Sequence, residues 1–129
     1  MAERIRIGIV GGGRLGAPLI MDFITRPFIE VVAIADKKPD CRGAQIAAQR
    51  GIYFTQDPMD LIERSDGIEL IIDMTGDPEL RPMLVKGLLA RSDTTTILVH
   101  ELSARLIMSL AADSRVMVER PEAEDDGIG

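Results

Sequence analysis

The sequence predicts an α/β domain in which a parallel, doubly wound sheet lies between two layers of helices. Short β-branched runs alternate with helical stretches along most of the 129 residues, as in parallel strands joined by right-handed helical crossovers. Apolar residues make up 46% of the chain but aromatic residues only 3%, and an aliphatic core suits a sheet that helices cover on both faces. The length fits a single domain with a sizeable core.

A glycine-rich turn joins the first strand to the first helix. The strand 4–10 is followed directly by Gly11-x-Gly13-x-x-Gly16. A helical apolar pattern begins inside the motif, at Leu15, Leu19, Ile20 and Phe23. The next strand ends in Asp36, which lies 20 residues beyond Gly16. Glycines, flanking elements and acid together predict a dinucleotide-binding turn, the alternative being a glycine turn without a ligand.

Each motif glycine has a separate role in that prediction. Gly11 lets the chain turn sharply, Gly13 lets the backbone lie against a pyrophosphate, and Gly16 lets the helix approach the sheet. The N–H groups and the positive dipole end of the helix then hold the phosphate charge. Arg14 either meets the pyrophosphate or faces solvent. The residues expected at the cofactor are Gly11, Gly13, Arg14, Leu15, Gly16, Asp36 and Lys37.

The acid at the end of the second strand predicts NAD rather than NADP. Asp36 can accept hydrogen bonds from the ribose hydroxyls, and its charge repels a 2′-phosphate. Lys37 and Lys38 follow it and oppose that repulsion if they turn toward a phosphate. We expect the carboxylate to decide, because it ends a strand whereas the lysines lie in a loop.

Further elements follow in βα alternation, each bounded by turn or capping residues. Gly51 stops one helix, and Asp57-Pro58 opens another as N-cap and first helical residue. In order, the pattern predicts a helix over 40–50, a strand over 52–55, the short helix after Pro58, a turn at 65–67 and a strand over 68–73.

The second half of the chain completes the predicted sheet. Pro78 and Pro82 cannot both lie inside one helix, so the next helix begins near Arg81 and runs through Leu89. A fifth strand spans 94–99. Leu102, Leu106, Ile107 and Leu110 then mark an amphipathic helix. Residues 115–118 fit either a sixth strand or a helix extension. The predicted domain is 1–118, and 119–129 is an acidic tail that we expect to be disordered.

The charge and the composition limit which classes of partner, metal site and cellular location we expect for the chain. The net charge is −6, and the tail holds five acids against one arginine, so nucleic acid is not expected as a partner. The single cysteine, Cys41, cannot form an internal disulfide, which fits a reducing compartment. One histidine and one cysteine make no metal cluster. With no signal-peptide pattern and no apolar run of about 20 residues, the expected location is the cytoplasm and not a membrane.

With these residues assembled, the chain resembles the cofactor domain of the glucose–fructose oxidoreductase and inositol dehydrogenase family. It is also similar to the cofactor domain of homoserine dehydrogenases. The matching features are the glycine motif, Ile34-Ala35-Asp36, the helix that ends in Gly51, the Asp57-Pro58 helix and Ile71-Ile72-Asp73-Met74-Thr75-Gly76. The resemblance implies a Rossmann fold that binds NAD(P), with Met74, Thr75 and Gly76 beside the nicotinamide. Ligands of open α/β sheets also bind at the carboxyl ends of strands.

The resemblance departs from the family after the fifth strand. Family members carry Glu-Lys-Pro there, with a catalytic lysine, whereas this chain has Val99-His100-Glu101-Leu102. His100 either replaces the lysine as proton donor or lies in a helix-entry loop, hydrogen-bonded to the backbone. Asp73 either serves as a catalytic carboxylate or ends its strand and shapes the next loop.

Two functions remain open on the sequence. The first is the cofactor module of an oxidoreductase that lacks its substrate domain, completed by a fused domain, another chain or a second copy. The alternative is a regulatory module that senses a nucleotide or the redox state within a larger signalling protein or complex. We do not predict catalysis by the chain alone, because hydride transfer requires a substrate that is bound close to the nicotinamide.

Overall fold

The computed structural model describes residues 3–112. Five parallel strands form one sheet in the order β3-β2-β1-β4-β5. The strands are β1 (Ile5–Val10), β2 (Ile29–Ala35), β3 (Tyr53–Thr55), β4 (Leu70–Asp73) and β5 (Ile97–Val99). The sixth strand or helix extension at 115–118 and the tail at 119–129 lie outside the described residues.

Helices cover both faces of the sheet, so the predicted three-layer α/β/α class is confirmed. They are α1 (Gly16–Phe23), α2 (Arg42–Arg50), α3 (Met59–Glu63), α4 (Leu80–Ala90) and α5 (Glu101–Ala111). One apolar cluster joins the sheet to α1, α2 and α5, and a second joins it to α3 and α4.

The core is aliphatic and alternates across the sheet. In β4, Ile71 belongs to the cluster under α3 and α4, whereas Ile72 belongs to the cluster under α1, α2 and α5. Ile9 and Val10 of β1 divide in the same way, because successive strand residues point to opposite faces. Burial of each such side chain stabilises the fold by about 1.5–3 kcal/mol.

Capping residues set the helix ends near the predicted positions. Cys41 Sγ accepts a hydrogen bond from the Ala44 N–H at 3.4 Å, and Gly51 ends α2 with a φ of +69°. Asp57 Oδ1 accepts from the Met59 N–H at 3.0 Å at the start of α3. Pro82 is the third residue of α4, where its missing N–H leaves no intrahelical bond unmade.

Two strands begin later than predicted. The strand expected over 94–99 begins at Ile97, since the Asp93 carboxylate accepts the N–H groups of Thr95 and Thr96. The strand expected over 68–73 begins at Leu70, after a 3₁₀ turn at Ser65–Gly67. In the first case the local hydrogen bonds to Asp93 compete with the sheet ladder.

The predicted last helix is present as α5, and the apolar residues that mark it are exposed. Its apolar residues are 49–70% exposed: Leu102, Leu106, Ile107 and Leu110. The buried positions of α5 are instead Glu101, Ala104 and Ser109. The side of α5 that packs on the core contains Ala104 and Met108, which join the apolar cluster under α1 and α2.

We expect Asp93→Asn to destabilise the fold at neutral pH and not in acid. Hydrogen bonds from Thr96 and Thr95 hold the pKa of the Asp93 carboxyl well below its usual range. The ionised group therefore stabilises the fold above its unfolded pKa of about 4, and this contribution is lost as the pH falls. The difference in urea midpoint between wild type and variant should shrink below about pH 4. Glu63→Gln, at an exposed acid, is the control, and a pH-independent difference would contradict the assignment.

Candidate functional site

The strand order reverses at β1, and the main cleft lies there. β2 and β3 extend to one side of β1, while β4 and β5 extend to the other. Ligands of open α/β sheets bind at such a reversal, outside the carboxyl ends of the strands. The cleft has a volume of about 350 Å³ and is lined at these strand ends by Val10, Gly11, Asp36, Lys37, Gln56, Asp57, Thr75 and Asp77.

The predicted glycine motif forms the turn between β1 and α1. Gly11 has a φ of +99°, a conformation that glycine adopts without strain. A Cβ atom on Gly16 would lie 1.7 Å from the Gly11 carbonyl oxygen, so the first helical residue must also be glycine. Gly13 lies at the partly exposed tip, and its carbonyl accepts from the Ala17 N–H at 2.9 Å. Within residues 3–112, the N–H groups of Gly13, Leu15 and Gly16 receive no acceptor from the protein.

Asp36 ties this turn to β2. Its side chain is only 1% exposed, its Oδ2 accepts the Gly12 N–H at 2.8 Å, and its Oδ1 accepts the Lys38 N–H at 2.9 Å. The carboxylate thus lines the cleft and also positions the turn.

The structure adds a glycine pair that the sequence reasoning missed. The Gly43 N–H, in the first turn of α2, donates to the Gly12 carbonyl at 2.8 Å. A Cβ atom on Gly43 would lie 2.8 Å from the Gly12 Cα. Two backbones therefore pass in contact, and the start of α2 holds the turn from behind. Two features of the sequence could have indicated this contact: Gly12 is the middle glycine of a triplet, and Gly43 lies at the start of a helix.

The far wall of the cleft is apolar and was also missed. It is formed by Pro58, Met59, Leu80 and Met83, which come from the starts of α3 and α4. Gln56 Nε2 donates to the Lys37 carbonyl at 3.0 Å, which fixes the loop after β2. An apolar slot with few polar groups at its rim suits a planar ring such as a nucleotide base.

A second, smaller cavity lies between the ends of β4 and β5. Its volume is about 180 Å³, and its lining includes Asp73, Gly76, Arg81, His100 and Glu101. Asp77 lines both cavities, so the loop after β4 separates them. Of the residues expected beside a nicotinamide, Thr75 lines the first cavity and Gly76 the second. The Met74 side chain is instead buried in the core, which leaves its backbone near the cavities.

Two titratable groups of the second cavity are only partly engaged by the protein. Asp73 is 2% exposed, and its Oδ1 accepts from the Thr75 N–H at 2.9 Å and from Thr75 Oγ1 at 2.7 Å. Burial raises the pKa of the Asp73 carboxyl, and the hydrogen bonds from Thr75 oppose that shift. His100 Nδ1 accepts from the Leu102 N–H at 3.2 Å, so the backbone hydrogen bond considered for His100 is confirmed. A neutral His100 in this state carries its proton on Nε2.

The remaining candidates are placed as follows. Glu101 is buried and paired with Arg105 at 2.7 Å. Arg14 and Lys37 have exposed side chains, at the glycine turn and after β2. Within residues 3–112, no helix is long and apolar enough to cross a membrane, and no group of three His, Cys, Asp or Glu residues is placed to hold a metal ion.

We expect Gly16→Ala to disrupt the turn, because the new methyl group would overlap the Gly11 carbonyl oxygen. The backbone must move, at a cost of about 2 kcal/mol or more. Gly67→Ala is the matched control, since a Cβ atom there meets nothing within 4 Å. Chemical denaturation of both variants gives the comparison. Equal stability of the two variants would contradict the close approach at Gly16.

Comparison with known proteins agrees with this geometry. No protein-family model matches the chain. Acetaldehyde dehydrogenase 1 of Dechloromonas aromatica (strain RCB) is 28% identical over 78 residues, which cover 58% of this chain and 26% of that protein. The structure of GenD2 from gentamicin A biosynthesis, in complex with NAD, has a TM-score of 0.52 at 15% identity, over 78% of this chain and 35% of GenD2.

A second solved structure is similar over more of the chain. An NAD-binding protein from Listeria innocua has a TM-score of 0.57 at 15% identity, over 87% of this chain and 34% of that protein. The chain thus spans about a third of the length of both solved structures. The predicted likeness to Rossmann-type NAD-binding domains is confirmed at the level of the fold, and the chain is a Rossmann-type α/β domain.

Proposed function

We propose that this domain binds NAD and serves as the cofactor module of an oxidoreductase. The observation that carries the proposal is the glycine turn held by Asp36 at the point where the strand order reverses. The similar proteins are described as a dehydrogenase, an NAD complex and an NAD-binding protein. They favour the oxidoreductase module over the regulatory alternative.

The residues present fit the parts of the dinucleotide. The apolar wall with Met59 and Leu80 accepts the adenine, and the Asp36 carboxylate accepts the ribose hydroxyls. The pyrophosphate lies on the N–H groups of Gly13 and Leu15, at the start of α1. The nicotinamide half extends past Thr75 and Gly76 toward the second cavity. Bound NAD supplies the hydride acceptor, and the protein supplies position and charge.

The substrate side is completed by another domain or by a second copy of the chain. The similar solved structures are more than twice as long as this chain, which leaves room for a substrate domain in proteins of that size. The apolar strip of α5, formed by Leu102, Leu106 and Leu110, is exposed. An apolar strip of this kind is typical of a surface covered by a partner. We place the protein in the cytoplasm, with no nucleic-acid or membrane partner.

Gly13→Val should abolish NADH binding and leave the fold intact. The side chain would occupy the position where the backbone meets the pyrophosphate. Gly13 has no positive φ and is partly exposed, so valine is compatible with folding there. Calorimetry should show no binding heat beside a cooperative melt near that of the wild type. Wild-type affinity in this variant would refute the assignment of the turn.

NADH should bind more tightly than NADPH. The buried Asp36 carboxylate accepts from ribose hydroxyls but repels a 2′-phosphate at the same place. Parallel titrations of the wild type measure the preference. Lys37→Ala should preserve the preference for NADH, because Asp36 and not the exposed Lys37 selects against the 2′-phosphate. Tighter binding of NADPH would reverse the assignment of Asp36.

A further inference from the structure

We propose that Asp73 and His100 recognise the carboxamide group of the nicotinamide, with Asp73 accepting its N–H and His100 donating to its carbonyl oxygen. The inference rests on the proposed binding of NAD and assigns a ligand group to the second cavity. It makes Asp73 a specificity-determining residue for the pyridine ring.

The first step is the unused acceptor on Asp73. Both hydrogen bonds from Thr75 go to Oδ1, and within residues 3–112 no donor reaches Oδ2. The side chain is 98% buried, being 2% exposed, yet it lines the cavity. Within residues 3–112, Ser65 Oγ is the only fully enclosed side-chain oxygen or nitrogen without a partner, so Asp73 Oδ2 is accessible from the cavity. A ligand there can donate a hydrogen bond to it.

The second step is that no neighbouring side chain within residues 3–112 donates to Oδ2, including the exposed Arg81, which lines the same cavity without a hydrogen bond or ion pair to Asp73. Thr75 Oγ1 donates to Asp73 Oδ1 and accepts from the Asp77 N–H at 3.1 Å, so its proton is already used. Glu101 is an acceptor paired with Arg105. His100 holds the Leu102 N–H through Nδ1, and no hydrogen bond joins its Nε2 to Asp73 in the described residues.

The third step concerns the acceptor and the donor that these two residues leave available to a ligand. One wall offers an acceptor, Asp73 Oδ2, and another offers a donor, the Nε2–H of neutral His100. A primary carboxamide presents one donor and one acceptor side by side. The cavity has about half the volume of the main cleft, 180 Å³ against 350 Å³, which suits a single small ring. Both features match the nicotinamide end of the cofactor.

The energetics agree with a binding role for the acid. Because burial raises the pKa of Asp73, the fold disfavours the ionised carboxyl, and stability is lost as the pH rises through the folded pKa. A neutral isostere removes that loss. Asp73→Asn should therefore melt no lower than the wild type at neutral pH, while Oδ1 of the amide still accepts from Thr75.

The test compares three ligands by calorimetry. NADH carries the carboxamide, reduced 3-acetylpyridine adenine dinucleotide replaces it by an acetyl group without N–H, and ADP-ribose lacks the ring. Use of the reduced forms keeps the ring uncharged. The wild type should bind NADH roughly tenfold more tightly than the acetyl analogue, as expected for one hydrogen bond to a charged acceptor. In Asp73→Asn the ratio should fall to about one, with the affinity for ADP-ribose unchanged.

The matched control is Glu69→Gln, an acid-to-amide change just before β4 at the opposite end of that strand. Glu69 is exposed and paired with Arg6 at 3.6 Å, and its variant should keep the wild-type ratio. A wild type that binds NADH and the acetyl analogue equally would overturn the inference, whether or not Asp73→Asn folds. A full ratio retained in a folded Asp73→Asn would overturn it as well. Failure to bind either NADH or ADP-ribose would instead refute the proposed function, and the inference with it.

Discussion

The hydrogen bond from the Gly12 N–H to the Asp36 carboxylate is the interaction on which the cleft depends. It joins the turn after β1 to the end of β2, two segments that are 24 positions apart in the chain. The second oxygen of the same carboxylate holds the Lys38 N–H, so one buried acid fixes both rims of the main cleft. Charge-assisted bonds of this kind are about twice as strong as neutral ones.

Glycine backbones make the rest of this arrangement possible. Gly16 brings the start of α1 against the Gly11 carbonyl, and Gly43 brings the start of α2 against Gly12. At both contacts a methyl group would force backbone apart. The turn is therefore held by the sheet, α1 and α2 together, and its outward N–H groups are fixed before any ligand arrives. Such preorganisation lowers the entropy that binding must overcome.

Two buried acids at the strand ends contrast with each other. Asp36 has donors on both oxygens, whereas Asp73 has protein donors on one oxygen only. The first is a structural part of the turn as well as a candidate ligand. The second gains its full set of partners only if a donor enters the smaller cavity. The loop between the cavities, which includes Asp77, then lies between the two halves of one extended ligand.

The sequence by itself determined what local physics controls. The glycine motif, its spacing to Asp36 and the alternation of apolar runs predicted the βα order, the parallel sheet and the turn, because backbone conformation and periodicity act within a few residues. Only the tertiary structure decided which surfaces meet. Leu106 and Leu110 belong to the apolar pattern that predicted α5, but they are exposed, and α5 contacts the core through Ala104 and Met108 instead. The Gly12–Gly43 contact and the hydrogen bonding of Asp73 through one oxygen likewise depend on segments that folding brings together. Residue spacing within one segment does not predict contacts between distant segments.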